Sequence, residues 1–325
     1  MISNRAALAR ANDTDPALTD DAKTILAGLT APQKTLSPKY LYDETGSKLF
    51  DEICELPEYY PTRSEKRIMA RYIGEMAALI GPRASVIEFG SGSSHKIRVL
   101  LDNLVEPAAY VPVDISADHL SRTTNDLARD YPHVQIHPVF ADFTQPFELP
   151  VHAVDPARNL IFFPGSTIGN FDKRDARSLL EVMRLEARPG GALLLGVDLK
   201  KDPGIIQAAY NDSAGVTAAF NLNVLKRLNM ELGADFELTS FRHEAIYDEA
   251  EGRIEMRLVS RKPQRVTVAG DTVDFKAGEY IITEYSHKYS LTEFAELARA
   301  AGFQPVQSWQ DEESLFSVQY LSVPG

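Results

Sequence analysis

The stretch Ser85-Val-Ile-Glu-Phe-Gly-Ser-Gly-Ser-Ser-His-Lys96 decides how the rest of the chain is read. A short apolar, β-branched run delivers Glu88 and then the pair Gly90 and Gly92 into a turn. Residues 85–89 read as a buried strand, Gly90-Ser91-Gly92 as a turn tight enough for a ligand to touch backbone, and residues 96–103 as the following helix. That is the pattern of a nucleotide-type loop at the carboxyl end of a strand, and also of an ordinary strand-to-helix turn.

Two cofactor classes compete for such a loop. A dinucleotide loop wants glycine at its first, third and sixth positions, and the sixth position here is His95, which weakens a nicotinamide dehydrogenase reading. A loop for S-adenosylmethionine (SAM) tolerates the histidine, because no pyrophosphate has to sit on the helix amino terminus.

Working outward, strand, turn and helix repeat as they do in a parallel sheet covered on both faces. Residues 110–113 form a second strand ending in Asp114, where a carboxylate can accept both hydroxyls of a ribose; a plain loop or N-cap role is the alternative. A third strand, 134–140, runs into Ala141-Asp142-Phe143, where an acidic side chain can accept from an adenine amino group. Glu88, Asp114 and Asp142 at three successive strand ends say more together than any one alone. A fourth strand, 159–164, leads into Gly165-Ser-Thr-Ile-Gly-Asn170, and a fifth covers 191–198 after a helix over 175–188. Near the end, Ser290 caps a helix over 292–301 and two strands, 303–309 and 315–322, complete a seven-stranded sheet.

The flanking regions read differently. A short helix is expected over 20–29. Leu56-Pro-Glu-Tyr-Tyr-Pro-Thr-Arg63 places two tyrosines between two prolines, so an extended backbone is expected there, followed by a helix over 65–80 with Ser64 as its N-cap. Tyrosine hydroxyls reaching a site and tyrosine rings packing under an interface are both consistent with that stretch. Residues 202–233 read as helical, and 236–284 alternate as antiparallel strands, like a segment inserted into the sheet domain.

Composition narrows the classes. The chain has 325 residues, 44% hydrophobic and 25% charged, enough for a real core. A net charge of -12 argues against a nucleic-acid groove and for a small-molecule partner. The single cysteine, Cys54, excludes an internal disulfide and suits a reducing cytoplasm; it reads as a small buried apolar residue. No apolar run reaches the roughly 18 residues of a membrane span, and residues 1–16 read as a polar, flexible leader. His133 and His137 are four apart, but the strand-like context of residues 134–140 denies them a shared helical face, so no metal is expected.

The chain resembles the ergothioneine-pathway histidine Nα-methyltransferases, which trimethylate L-histidine to hercynine with SAM. The resemblance rests on Tyr42-Asp43 with Gly46-Ser47, Leu56 to Arg63, Glu88 to Lys96, Gly165 to Asn170, Ala209-Tyr-Asn-Asp-Ser-Ala-Gly-Val-Thr-Ala-Ala-Phe-Asn221, Arg253-Ile-Glu-Met256 and Thr283-Glu-Tyr-Ser286. It implies an α/β class I SAM-methyltransferase fold, with a Rossmann-like seven-stranded sheet and a second α+β substrate lobe. The core would span 64–198 and 287–325, and the lobe 17–63 and 199–286.

By the same resemblance, Glu88, Gly90, Gly92, Lys96, Asp114, Asp142, Phe143 and Gly165 would line the SAM site. Tyr59, Asn170 and Tyr210 would hold the amino-acid head group, with Tyr42, Tyr59 and Asn170 nearest the chemistry. Glu284 and Ser286 would grip the imidazole, and Met256 would pack on its ring or in the core. The partners implied are L-histidine and its mono- and dimethylated intermediates, handled by a monomer without nucleic acid or membrane. Another amino-acid Nα-methyltransferase, for instance one acting on tryptophan, and a non-catalytic SAM-binding module are the rival readings. Glu284 speaks against tryptophan, since an indole offers only one donor.

Overall fold

A computed structural model describes residues 16–91, 95–115, 117–150 and 155–325. Gly92 of the loop and all of the expected leader except Pro16 lie outside the described residues. Along the chain, helix α1 (Pro16–Thr30) and the short strand β1 (Lys34–Thr35) precede helices α2 (Glu44–Glu55) and α3 (Tyr60–Ile80). Strand and helix then alternate through β2 (Ala84–Phe89), α4 (His95–Leu101), β3 (Ala109–Asp114), α5 (Ala117–Asp130), β4 (Gln135–Ile136), β5 (Val139–Phe140), β6 (Arg158–Phe163), α6 (Lys173–Ala187) and β7 (Ala192–Asp198). Helices α7 (Pro203–Tyr210) and α8 (Val216–Glu231) lead into β8 (Phe241–Asp248), β9 (Arg253–Ser260), β10 (Gln264–Val268), β11 (Asp271–Phe275) and β12 (Tyr280–His287). The last elements are α9 (Leu291–Ala300), β13 (Gln304–Gln310) and β14 (Phe316–Ser322).

The chain divides into two compact units: Met1–Glu55, Tyr210–Ile246 and Glu255–Glu284 form one, and Leu56–Ala209, Tyr247–Ile254 and Tyr285–Gly325 the other. The second unit holds a sheet of order β13-β14-β7-β6-β2-β3-β4, with β5 also paired to β3. β2 pairs in parallel with β3 and β6, β6 with β7, and β3 with β4 and β5, while β14 runs antiparallel to β7 and β13. Successive side chains of β2, β6 and β7 fall alternately into two apolar clusters, Val86, Leu160 and Leu194 in one and Ile87, Ile161 and Leu193 in the other. Both faces are therefore dry, which is why these strands read as continuous apolar runs. The parallel order aligns the carboxyl ends of β2, β3, β5 and β6 along one edge.

The seven expected strands are present, with the third in two pieces. β4 and β5 flank His137 and Pro138, and Pro138 has no N–H to give the ladder; His137 N still donates to Tyr110 O at 2.9 Å. The expected extended backbone over 56–63 is corrected. Tyr59 is the N-cap and Pro61 lies in the first turn of α3, where a missing N–H costs nothing. Ser64 is thus inside the helix, not its cap, and its hydroxyl donates to Asp311 at 3.0 Å. The helical stretch after β7 is broken at Asn211 to Gly215, because the Asp212 carboxylate accepts from Val216 N and Thr217 N, both at 2.8 Å, and starts α8 anew. Ser290 caps α9 in a full capping box with Glu293, as its sequence indicates.

The first unit carries most of a four-stranded sheet of order β1-β12-β9-β8 and the antiparallel β10–β11 hairpin. Phe236, Phe241 and Phe275 pack edge to face in its core. Gly46, inside α2, is required: a Cβ there would stand 1.8 Å from Leu41 O. The Asp43 side chain accepts from Gly46 N at 2.6 Å and from Asn223 Nδ2 at 2.8 Å, fixing the turn that carries Tyr42. Cys54 is half-buried, not buried as expected. Among the described residues no helix is long and apolar enough to cross a membrane.

Candidate active site

In the second unit the sheet edge assembles the residues expected to bind a nucleoside. Gly90 follows β2 with φ +76° and donates its N–H to Val113 O at 2.9 Å, so the turn is bonded to the neighbouring strand. A Cβ at Gly90 would meet the Phe143 ring at 3.3 Å, so glycine keeps that ring close to the backbone. Phe143 packs on Phe89 and Phe163 with ring centres 5.7 and 6.0 Å apart. Asp114 ends β3, and its carbonyl accepts from Ala141 N at 3.2 Å, which brings the 141–143 turn beside it. One Asp142 oxygen accepts from Thr144 N and Oγ1 at 2.9 and 2.6 Å, which holds the carboxylate in place.

Glu88 of β2 is buried and accepts from the Tyr110 hydroxyl of β3. Burial pushes its carboxyl up to about 7, against the pull of that hydrogen bond and of Lys96.

The turn after β6 carries the other set. Gly165 has φ +81° and Ser166 the left-handed value +59°. Ser166 accepts from Asp198 N at 2.9 Å through its hydroxyl, and a short 3₁₀ turn over Thr167–Asn170 delivers Asn170. A Cβ on Gly169 would lie 2.7 Å from His287 O, so the end of β12 rests against this turn. Ser286 belongs to that end, is buried, and accepts from Lys288 Nζ at 2.8 Å. Tyr59, also of this unit, is buried at the start of α3.

Sequence reasoning missed a buried ionic cluster at the end of β7. The Asp198 carboxylate accepts from the Tyr60 hydroxyl at 2.8 Å and from Lys201 Nζ at 2.5 Å, and lies 2.7 Å from Lys288 Nζ. Burial opposes its ionisation, but Lys288 and Lys201 outweigh it and hold the carboxyl below its ordinary range. Lys201 is brought down to about 8 by burial, with Asp198 opposing. Only the apolar run of β7 ending in an aspartate, with Lys201 three residues on, hinted at this cluster, because Tyr60 and Lys288 come from distant segments.

In the first unit, Tyr42 packs edge to face on Phe50 and Phe220 at 5.6 and 5.4 Å. The residue is 38% exposed. Burial first, then the nearby Glu284 and Tyr210, raise its hydroxyl well above its ordinary value, so Tyr42 stays protonated. Glu284 and Tyr210 are buried, and Met256 is a core residue.

A second missed group supports these side chains. Thr283 Oγ1 donates to Asn221 Oδ1 at 2.6 Å, Asn221 Nδ2 bonds His243 Nδ1 at 2.9 Å, and His243 Nε2 reaches Tyr210 O at 2.8 Å. His243 is neutral, its ring held below the ordinary value by burial, so Nε2 carries the hydrogen and Nδ1 accepts. Asn221 closes one of the motifs quoted above, the one signal that pointed to it. Among the described residues no group of three or more His, Cys, Asp or Glu is arranged to hold a metal.

Known proteins are similar to this chain over most of its length. The chain is 42% identical over 302 residues to the histidine N-alpha-methyltransferase of Mycolicibacterium smegmatis, covering 91% of this chain and 92% of that one. It is 32% identical to ergothioneine biosynthesis protein 1 of Neurospora crassa, over 88% of this chain and 33% of that longer one. The L-tryptophan methyltransferase of Psilocybe serbica is 28% identical over 91% of each chain. The description "Histidine-specific methyltransferase, SAM-dependent" matches residues 21–323, and this SAM-dependent methyltransferase belongs to that family.

Proposed function

We propose that the chain transfers three methyl groups in turn from SAM to the α-amine of L-histidine, giving hercynine for ergothioneine synthesis, and that the residues gathered above carry it. The observation that best supports the donor side is the alignment of Gly90, Asp114, Asp142-Phe143 and Gly165 on one sheet edge. The residues fit the group. A glycine turn without a Cβ admits close backbone approach, Asp114 suits a ribose diol, Asp142 an adenine amine, and the Phe143 ring an adenine face. Bound there, SAM supplies an electrophilic methyl group on a sulfonium.

What remains for the protein is alignment and exclusion of water. The α-amine, with a pKa of roughly 8 in reference peptides, has to be neutral to attack. Tyr59, Asn170 and Tyr210 would hold the carboxylate and orient the amine without adding a cation that repels the sulfonium. Tyr42, protonated and backed by Phe50, offers a hydrogen-bond donor and no base, so the amine's proton leaves to solvent, and aromatic walls tolerate the quaternary product through contacts of about 0.5–2 kcal/mol. Glu284 and Ser286, two apart on β12 and so on one face of the strand, would receive the imidazole as acceptor and hydroxyl partner.

The test is incubation with SAM and each of the twenty amino acids, read by mass. Gain of up to three methyl groups on histidine alone supports the reading. Methylation of tryptophan in preference refutes the substrate, and SAM binding without any mass gain refutes catalysis.

A further inference from the structure

Glu65 on α3 has no part in the roles assigned so far, yet it is among the most enclosed charges of the second unit, its side chain 1% exposed. Its two carboxylate oxygens accept from Gly165 N at 2.8 and 3.0 Å, and one lies 2.5 Å from Lys96 Nζ. Room is kept for it on β7, where a Cβ on Gly196 would stand 2.2 Å from Glu65 Oε1. Lys96 is also close to the turn itself, 3.3 Å from where a Gly165 Cβ would be. One buried anion therefore joins three separate segments: the long helix, the helix after the glycine loop, and the turn that leads to Asn170. A buried carboxylate is costly unless its charge and lone pairs are met, and here a lysine and a backbone N–H meet them.

Lys96 and Gly165 are two residues assigned above to the donor site, and the inference rests on that assignment. A sulfonium carries a positive charge, and a lysine without a counter-ion in the same enclosed site would repel it. We infer that Glu65 is a positioning residue of the donor site: it cancels the charge of Lys96 and pins the Gly165 turn, so that the site accepts the cationic donor and not only its neutral thioether product.

The experiment measures Kd for SAM and for S-adenosylhomocysteine by calorimetry on the full chain and on Glu65→Gln, Lys96→Met and the double variant. Glu65→Gln keeps an acceptor for Gly165 N and removes the charge. The preference for SAM over the thioether should fall about tenfold in it, the size of a like-charge penalty in a partly screened site. Lys96→Met should shift the preference the opposite way, and the double variant should return it toward the parent. A merely structural role would weaken both ligands by one factor, and that result in Glu65→Gln overturns the inference. If Glu65→Gln does not fold, the sign of the Lys96→Met shift decides: a rise in the preference for SAM supports it, and a fall, or an equal weakening of both ligands, overturns it. Should Lys96→Met leave both affinities untouched, the placement of Lys96 in the donor site is what fails.

Discussion

Replacing Thr283 by valine keeps nearly the same volume and removes one hydroxyl. That hydroxyl donates to Asn221 Oδ1 at 2.6 Å, and Thr283 and Asn221 are 1% and 0% exposed, so no solvent replaces it. Stranding the buried amide oxygen should cost about 1–3 kcal/mol in urea unfolding followed by circular dichroism. Asn221→Leu strips partners from Thr283, His243 and Arg257 O together and should cost more. The double variant should cost less than the two single losses combined, by about 1 kcal/mol, because the same bond is removed in both.

Function should follow the same network. Thr283 adjoins Glu284 in β12, and His243 holds the carbonyl of Tyr210. Thr283→Val should therefore raise KM for histidine about tenfold, a loss of roughly 1.4 kcal/mol, while Kd for SAM stays within about twofold. A stability loss under about 0.5 kcal/mol, additive single losses, or equal weakening of both substrates would refute the reasoning.

Glu284→Ala should raise KM for histidine about 10- to 100-fold, the worth of a charge-assisted bond, with SAM affinity unchanged, and Asp114→Ala should do the reverse in a binding titration. Gly46→Ala drives a carbon toward Leu41 O and should displace the Tyr42 turn, costing about 1–3 kcal/mol in thermal unfolding and weakening histidine binding more than SAM binding. Burial, then Arg253 and Lys173, bring buried His287 down to about 4 in the folded chain, whereas an unfolded histidine titrates near about 6.5. The unfolded chain then binds more protons between those values, so stability is full above about pH 6.5 and falls as pH drops toward 4; His287 alone contributes about 2 kcal/mol of loss at pH 5. His243, shifted the same way, adds to it. A His287→Asn variant whose unfolding midpoint falls just as steeply from pH 7 to pH 5 would contradict this assignment.

Much of the second unit was legible from residue order. Strands buried on both faces are mostly apolar, and a parallel sheet must end its strands on one edge, so β2, β3, β6 and β7 and the run Gly90, Asp114, Asp142 could be read directly. Capping signals likewise fixed α9. The start of α3 was misread because proline in a first turn and proline in an extended segment look alike until the hydrogen bonds are known. Pro138 was passed over because a strand can lose one donor and resume.

What sequence alone determined, then, was local: which segments bury both faces, where turns need glycine, and which motifs carry a known chemistry. The fold itself decided the pairings that join distant segments: Asp198 with Tyr60 and Lys288, Glu65 with Lys96 and Gly165, and Asn221 with Thr283 and His243. Periodicity reports only whether a side chain meets water. A buried charge needs a specific partner, and chain order leaves the identity of that partner open until the segments are packed together.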